Sequence, residues 1–166
     1  MKKRDFDIAF RGLALGQHEF QYDLDDTFFT LFEYSDYRGL SGTTELKMLK
    51  SETVLDLEFH FAGSIETPCD ITNEMYTQVL KNSFVMQIKF GDEYNDENEE
   101  LLILPHGNYE FNAAQMIYEL VVLSIPSKLL GPNAGNGIED LIEEEEDETE
   151  EKTDPRWDQL KNLLNK

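Results

Sequence analysis

The chain has 166 residues, with 14 Lys and Arg against 35 Asp and Glu, and a formal net charge of −21 at pH 7. Hydrophobic residues make up 40% of it and aromatic residues 11%, enough to fill a core, so the composition predicts one folded domain with tails rather than a disordered chain. Ten acidic and no basic residues lie between Glu139 and Glu151, and the remainder keeps 25 acidic against 14 basic residues, a net charge of −11. A surface of this sign repels phosphate, which excludes broad electrostatic binding to duplex nucleic acid or to an anionic membrane.

The cysteine count and the N-terminal residues bear on where the protein works. A single cysteine, Cys69, excludes an internal disulfide framework. The first residues are basic, but no apolar run of signal-peptide length follows them, and no window approaches about 18 consecutive apolar residues. We therefore expect a cytoplasmic protein that does not cross a membrane.

Apolar residues at every second position predict half-buried strands. In chain order these strands are predicted at Phe6 to Phe10, Phe20 to Leu24, Leu46 to Lys50, Val54 to Phe61, Tyr76 to Phe90 and Leu101 to Leu104. The run from Val54 is the clearest, because Asp56, Glu58 and His60 alternate with its apolar residues until Gly63. The run from Tyr76 contains a polar break at Lys81-Asn82-Ser83, and one bent strand and two strands both remain open.

Two helices are predicted in the folded part. Asp25 or Asp26 can cap a short helix whose aromatic face is core and which Gly39 and Gly42 end. From Asn112 the apolar period changes to about 3.6 residues. The apolar face of this second helix consists of Ala113, Met116, Ile117, Leu120 and Val121. Asn112 with Gln115 resembles a capping box, and Pro126 cannot continue the helix.

These elements predict an α+β domain over residues 1–130. We expect a curved, mostly antiparallel sheet with the Asn112 to Ile125 helix packed against it, and a partly closed barrel is the alternative. Residues 131–152 are predicted to form a flexible, self-repelling acidic linker. Residues 153–166 are predicted to form a C-terminal amphipathic helix.

The C-terminal helix carries its own start signal. Asp154 stands at a capping position and Pro155 at the first helical position, and Trp157, Leu160, Leu163 and Leu164 form an apolar stripe. At about ten residues the helix is shorter than the roughly 12 to 15 at which an isolated helix is marginal in water. Its stripe therefore needs a surface, either on its own domain or in a groove of another protein.

Signals for metal, cofactor or catalytic sites are weak. Cys69 begins a C-x-x-T sequence in which Thr72 stands where a second zinc-binding cysteine would be, and His18, His60 and His106 lie in three separate predicted elements. The sequence has no strand-G-x-S-x-G-helix pattern, and the glycines between 131 and 137 lack the Lys-Ser/Thr of a phosphate loop. We expect no cofactor, no metal and no catalysis, with a hydrolase built from carboxylates and a histidine as a less favoured alternative.

The acidic run and the terminal helix are the more specific features. Ten carboxylates can simply keep the chain soluble, or they can attract a cationic partner. The candidate partner-binding residues are Glu143, Glu144, Glu145, Glu146, Asp147, Glu148, Asp154, Pro155, Arg156, Trp157, Leu160 and Leu164.

Several short motifs, taken in order, resemble the YceD family. They are Arg11-Gly12-Leu13, Gly16-x-His18-Glu19-Phe20, Cys69 at a strand end, the helix from Tyr118 and Glu119 to Pro126, the acidic stretch, and Asp154-Pro155-Arg156-Trp157-x-x-Leu160. The resemblance implies a bacterial and plastid factor for the accumulation of large-subunit ribosomal RNA, and it implies no enzymatic activity. Many members of the family carry a C-x-x-C and later cysteines. Here Thr72 and Thr153 stand in those places, so the resemblance carries no zinc site to this chain.

The sequence and the resemblance together predict a non-catalytic ribosome-biogenesis factor. The acidic run would attract a basic ribosomal protein or a basic assembly factor, and Trp157, Leu160 and Leu164 would anchor it. The alternative is direct, local contact with ribosomal RNA. The residues for that contact would be Lys2, Lys3, Arg4 and Arg11.

Overall fold

The N-terminal segment is less regular than its alternation predicts. The computed structural model of the protein describes residues 1–98 and 100–135. The segment consists of a 3-10 turn (Lys3–Phe6), strand β1 (Asp7–Ile8) and a second 3-10 turn (Phe10–Gly12). Phe6, Ile8 and Phe10 are buried, as alternation requires, but only β1 pairs, with the two-residue strand β8 (Phe111–Asn112). The strand predicted from Phe6 to Phe10 is therefore wrong for most of its length.

The other strands form one curved sheet. They are β2 (Gly16–Asp25), β3 (Arg38–Lys50), β4 (Val54–Pro68), β5 (Met75–Gly91), β6 (Asn95–Asn98) and β7 (Leu101–Pro105). Within the described residues their order is β2-β3-β4-β5-β7-β6, and each neighbouring pair is antiparallel except β5 with β7. The predicted curved, mostly antiparallel sheet is confirmed, and it stays open rather than closing into a barrel.

The side chains of β4 alternate between the two faces of the sheet, a core face that is buried and an open face that is exposed. Its core side chains, Leu55, Leu57, Phe59, Phe61 and Ile65, are all at most 3% exposed. The Phe59 ring stacks on Phe84 of β5, with ring centroids 4.7 Å apart. The polar side chains between these residues lie on the other face, so the predicted alternation is confirmed. The break predicted within β5 does not divide it, because the strand runs unbroken through Asn82.

The first helix, α1 (Asp26–Thr30), has a single turn. The Asp25 carboxylate accepts a hydrogen bond from the Thr27 amide at 2.9 Å, which confirms a predicted cap. The two glycines expected to end this helix, Gly39 and Gly42, lie instead inside β3.

The second helix, α2 (Ala114–Leu123), packs against the core face of β4 and β5. Ile117, Leu120 and Val121 are at most 1% exposed, as the 3.6-residue period predicts. The Asn112 side chain accepts a hydrogen bond from the Ala114 amide at 2.9 Å. The predicted capping box is not formed, because the Gln115 amide group donates to Glu119 at 2.7 Å instead.

A pair of glycines sets the distance between β3 and β4. Gly42 and Gly63 are register partners, and a Cβ on Gly63 would lie 2.7 Å from the Phe61 ring and 2.8 Å from the Gly42 Cα. A main-chain atom cannot move aside as a flexible side chain can. We expect Gly63→Ala to lower the free energy of unfolding by about 1–3 kcal/mol in urea denaturation. The exposed neighbour Ala62 provides the control, since Ala62→Ser should change it by less than about 0.5 kcal/mol, and equal effects would contradict this account.

Candidate binding surfaces

The open face of the sheet carries a cavity with a volume of about 810 Å³. Its lining includes residues of all six strands of the main sheet in the described part of the chain. Leu49 and Val85 present apolar side chains there, 50% and 63% exposed. Asp56, Glu58 and Glu100 add carboxylates. Lys47 also lines the cavity, so this surface offers apolar contact next to three carboxylates and one ammonium group.

The polar side chains on this face are paired locally. The Gln87 amide group donates to Asp56 at 2.7 Å. The His60 Nε2 atom lies 2.9 Å from a Glu58 carboxylate oxygen, with both side chains more than 40% exposed. Among the described residues, the lining of this cavity contains no Ser, Thr or Cys side chain. The arrangement offers a binding surface lined by apolar and carboxylate side chains.

Cys69 lies in the turn between β4 and β5, and its side chain is only 2% exposed. Hydrogen bonds to the sulfur from the Thr72 amide and hydroxyl, and then from the amides of Gly131 and Ile71, lower its pKa from 9 to about 7. The hydroxyl of Thr72 thus stabilises the thiolate form of Cys69.

The chain after α2 returns to the same turn. The Asp70 amide donates to the Leu129 carbonyl at 2.8 Å, and the Leu129 amide donates to the Asp70 carboxylate at 2.7 Å. The Asn133 side chain donates to the Glu74 carboxylate at 3.0 Å. Residues 131–135, at the start of the predicted linker, thus continue along the β4–β5 turn. The remainder of that linker lies outside the described residues, and its boundary stays a prediction.

The lowered pKa of Cys69 makes stability depend on pH. Between about pH 7 and pH 9 the folded state has released the thiol proton while the unfolded state still holds it. The free energy of unfolding should therefore rise with pH across this interval, and this contribution should be lost as pH falls through about 7. We expect Cys69→Ala to remove this part of the rise, measured by urea denaturation at pH 6.5, 7.5 and 8.5. Parallel pH profiles of the two proteins would contradict the account.

The residues of the family motif lie in separate elements. Gly12 ends the second 3-10 turn, Gly16 starts β2 with a φ of 122°, and the His18 ring is 2.8 Å from the Ala14 carbonyl oxygen. Glu119 is exposed on α2, and Pro126 follows that helix. Of these residues, only Gly12, Gly16 and His18 share one segment of the chain.

The four basic residues proposed for RNA contact are all exposed. The Lys3 ammonium lies 4.9 Å from the centre of the Phe32 ring, whereas Arg11 lines a second cavity together with Lys50 and His106. The structure therefore gives Arg11 surroundings different from those of Lys3. No pattern in the sequence indicates that Lys50 and His106 belong to one site, because these residues are distant along the chain.

The candidate partner-binding residues all belong to the C-terminal part of the chain. Glu143 to Glu148 and Asp154 to Leu164 lie outside the described residues, so their roles stay predictions. Over residues 1–98 and 100–135, no three His, Cys, Asp or Glu side chains are grouped as metal ligands. The longest helix in that part of the chain, α2, has 10 residues, too few for the about 20 of a membrane span.

In the described part of the chain, the curved open sheet and its main packing helix, α2, define an α+β protein with an exposed sheet face. The family model described as large ribosomal RNA subunit accumulation protein YceD matches residues 57–164, more than half of the chain. The chain belongs to the YceD family, which links it to the accumulation of large-subunit ribosomal RNA. Neither the curated proteins nor the solved structures include a match to the chain.

Proposed function

We propose that the protein is a non-catalytic assembly factor of the large ribosomal subunit that binds a basic ribosomal protein or a basic assembly factor. The acidic run from Glu139 to Glu151 attracts this partner, and Trp157, Leu160 and Leu164 anchor it. Long-range attraction sets the rate of association, and burial of the apolar stripe sets the lifetime of the complex.

The main support for this proposal is that Lys and Arg side chains do not pair with the carboxylates in the described part of the chain. Over residues 1–98 and 100–135, the only contact within 4.0 Å between a basic side chain and a carboxylate is that of His60 with Glu58. No Lys or Arg in this part of the chain pairs with a carboxylate at that distance. In a chain of net charge −21, the carboxylates are therefore available to the positive charges of a partner.

The open face of the sheet supports the same type of partner. Leu49 and Val85 can contact the aliphatic part of a Lys or Arg side chain, and Asp56, Glu58 and Glu100 can receive its charged end. This surface would add short-range contacts to the field of the acidic run.

Affinity capture from the native host, with and without ribonuclease treatment, tests the proposal. We expect the full-length protein to retain positively charged large-subunit or assembly proteins after the RNA has been digested, because protein–protein contacts hold them. Loss of all captured basic proteins on ribonuclease treatment would contradict it.

Local RNA contact is the second candidate, favoured by the exposure of Lys2, Lys3, Arg4 and Arg11 without an acidic partner within 4.0 Å in the described residues. Replacing all four by glutamine should weaken RNA binding if this candidate is correct, and it should leave the capture of basic proteins unchanged.

A further inference from the structure

The second cavity, of about 350 Å³, lies where three distant segments meet. These are the second 3-10 turn, the turn between β3 and β4, and the loop after β7. Phe10, Leu55 and Phe90 supply its apolar lining, and the rings of Phe10 and Phe90 have centroids 5.4 Å apart. The volume lies within the roughly 300–1,000 Å³ typical of small-molecule sites.

Lys50 is the unusual residue of this cavity. Its half-buried ammonium donates to the carbonyl oxygens of Phe10 and Leu13 at 2.8 and 2.5 Å. An ammonium has three N–H donors, so two carbonyl partners leave one for a further acceptor. Within residues 1–98 and 100–135, no carboxylate lies within 4.0 Å of this nitrogen. A partly buried charge that contacts only neutral oxygens favours the approach of an anion.

Arg11 and His106 line the same cavity as Lys50, so three basic residues border one cavity in a strongly acidic protein. The backbones of Arg11 and His106 are positioned by main-chain hydrogen bonds, which do not involve their side chains. The Arg11 amide donates to the Tyr109 carbonyl at 3.2 Å, and the His106 amide donates to the Gly91 carbonyl at 3.1 Å. The basic side chains are thus presented by a fixed backbone.

The remaining polar residues of the lining are Ser51, Glu52, Thr53 and Asn108. Ser51, Thr53 and Asn108 add neutral hydrogen-bonding groups, whereas the Glu52 carboxylate opposes an anion. Arg11 and Lys50 carry two positive charges against this single negative one.

We propose that this cavity binds a nucleotide, with its phosphate on Arg11, Lys50 and His106 and its base against the half-buried Phe90 ring, which packs on the buried Phe10 ring behind it. The guanidinium of arginine matches phosphate oxygens in a two-point hydrogen bond, and aromatic rings stack on any base. A free nucleotide and a nucleotide within a single-stranded RNA share this chemistry. The proposal goes beyond the proposed function, which concerns a cationic protein.

Amide NMR spectra of the full-length protein test the site with three probes: inorganic phosphate, adenosine monophosphate and a ten-nucleotide single-stranded RNA. We expect the amides of the cavity lining to shift with at least one of the two nucleotide probes. Arg11→Gln should weaken that binding about tenfold or more, since it removes charge-assisted hydrogen bonds. Glu52→Gln should strengthen it. Lys81→Gln removes an exposed charge on the open sheet face and should leave the affinity unchanged.

The outcomes separate the sources of the ligand. Binding of adenosine monophosphate supports a free nucleotide, and binding of the RNA alone supports a nucleotide within a strand. The proposal is overturned if neither nucleotide probe shifts these amides, if adenosine monophosphate binds no better than inorganic phosphate while the RNA does not bind, or if Arg11→Gln and Lys81→Gln have equal effects. Unchanged thermal denaturation of Arg11→Gln would show that the variant remains folded. None of these measurements involves a basic protein, so their failure would leave the proposed function untouched.

Discussion

Phe59→Ala is expected to lower the free energy of unfolding by about 3–5 kcal/mol. Phe59 is fully buried at the centre of β4, where it stacks on Phe84 and is the register partner of Leu46. Truncation would remove the ring and leave a cavity that neighbouring strands cannot fill without breaking their register. Domains of this size are stable by only about 5–15 kcal/mol, so the variant should lose a large part of its stability.

Urea denaturation followed by circular dichroism measures this loss. Val85→Ala is the matched control, because Val85 lies on the open face and is 63% exposed. We expect its effect to stay near 0.5 kcal/mol or below. A comparable loss for the two variants would mean that the core does not lie on the Phe59 side of the sheet.

Neutralising six consecutive acidic side chains is expected to slow association with a basic protein about tenfold or more at low salt. The changes are Glu143→Gln, Glu144→Gln, Glu145→Gln, Glu146→Gln, Asp147→Asn and Glu148→Gln. The physical reason is long-range attraction, which these residues would supply before any contact forms. Stopped-flow kinetics with a purified basic large-subunit protein measures the association rate.

Two controls separate the effect of long-range charge on association from the effect of apolar contact on dissociation. The double variant Trp157→Ala with Leu160→Ala should raise the dissociation rate while leaving the association rate nearly unchanged, because it removes apolar area and no charge. Raising the ionic strength toward 1 M, where the Debye length is about 3 Å, should remove the difference between the native chain and the neutralised one. Equal association rates of these two proteins at low salt would show that the acidic run plays no part in capture.

The parts of the fold that depend on local patterns could be predicted from the sequence. The alternation from Val54 to Phe61 predicted the start of β4 and its buried face, although the strand continues through Gly63 to Pro68. The Asp25 cap and the α2 face also followed from spacing. In each case the deciding information lies within a few residues, where strand and helix periods differ clearly.

The errors arise where distant partners decide the structure. Phe6, Ile8 and Phe10 are buried in alternation, but only two residues of β8 are available for pairing, so most of the segment forms 3-10 turns. Asn82 resembles a break in β5, yet its side chain donates to the Leu120 carbonyl of α2 at 3.3 Å, which gives a polar residue on the core face a partner.

The cavity beside Lys50 could not be predicted either, because it also depends on residues that are distant in sequence. Arg11, Lys50 and His106 lie in three segments far apart in sequence, and only the pairing of the sheet brings them together. No spacing rule could have identified them. In contrast, the acidic run is evident from the sequence, because its function would depend on charge rather than on a particular geometry.

A competition measurement tests the central claim most directly. The labelled full-length protein is offered a panel of purified basic large-subunit proteins and naked large-subunit ribosomal RNA at physiological salt, and the equilibrium affinities are compared. We predict that at least one basic protein binds more tightly than the RNA, since the chain carries a net charge of −21. Tighter binding to the naked RNA than to every basic protein would contradict the account.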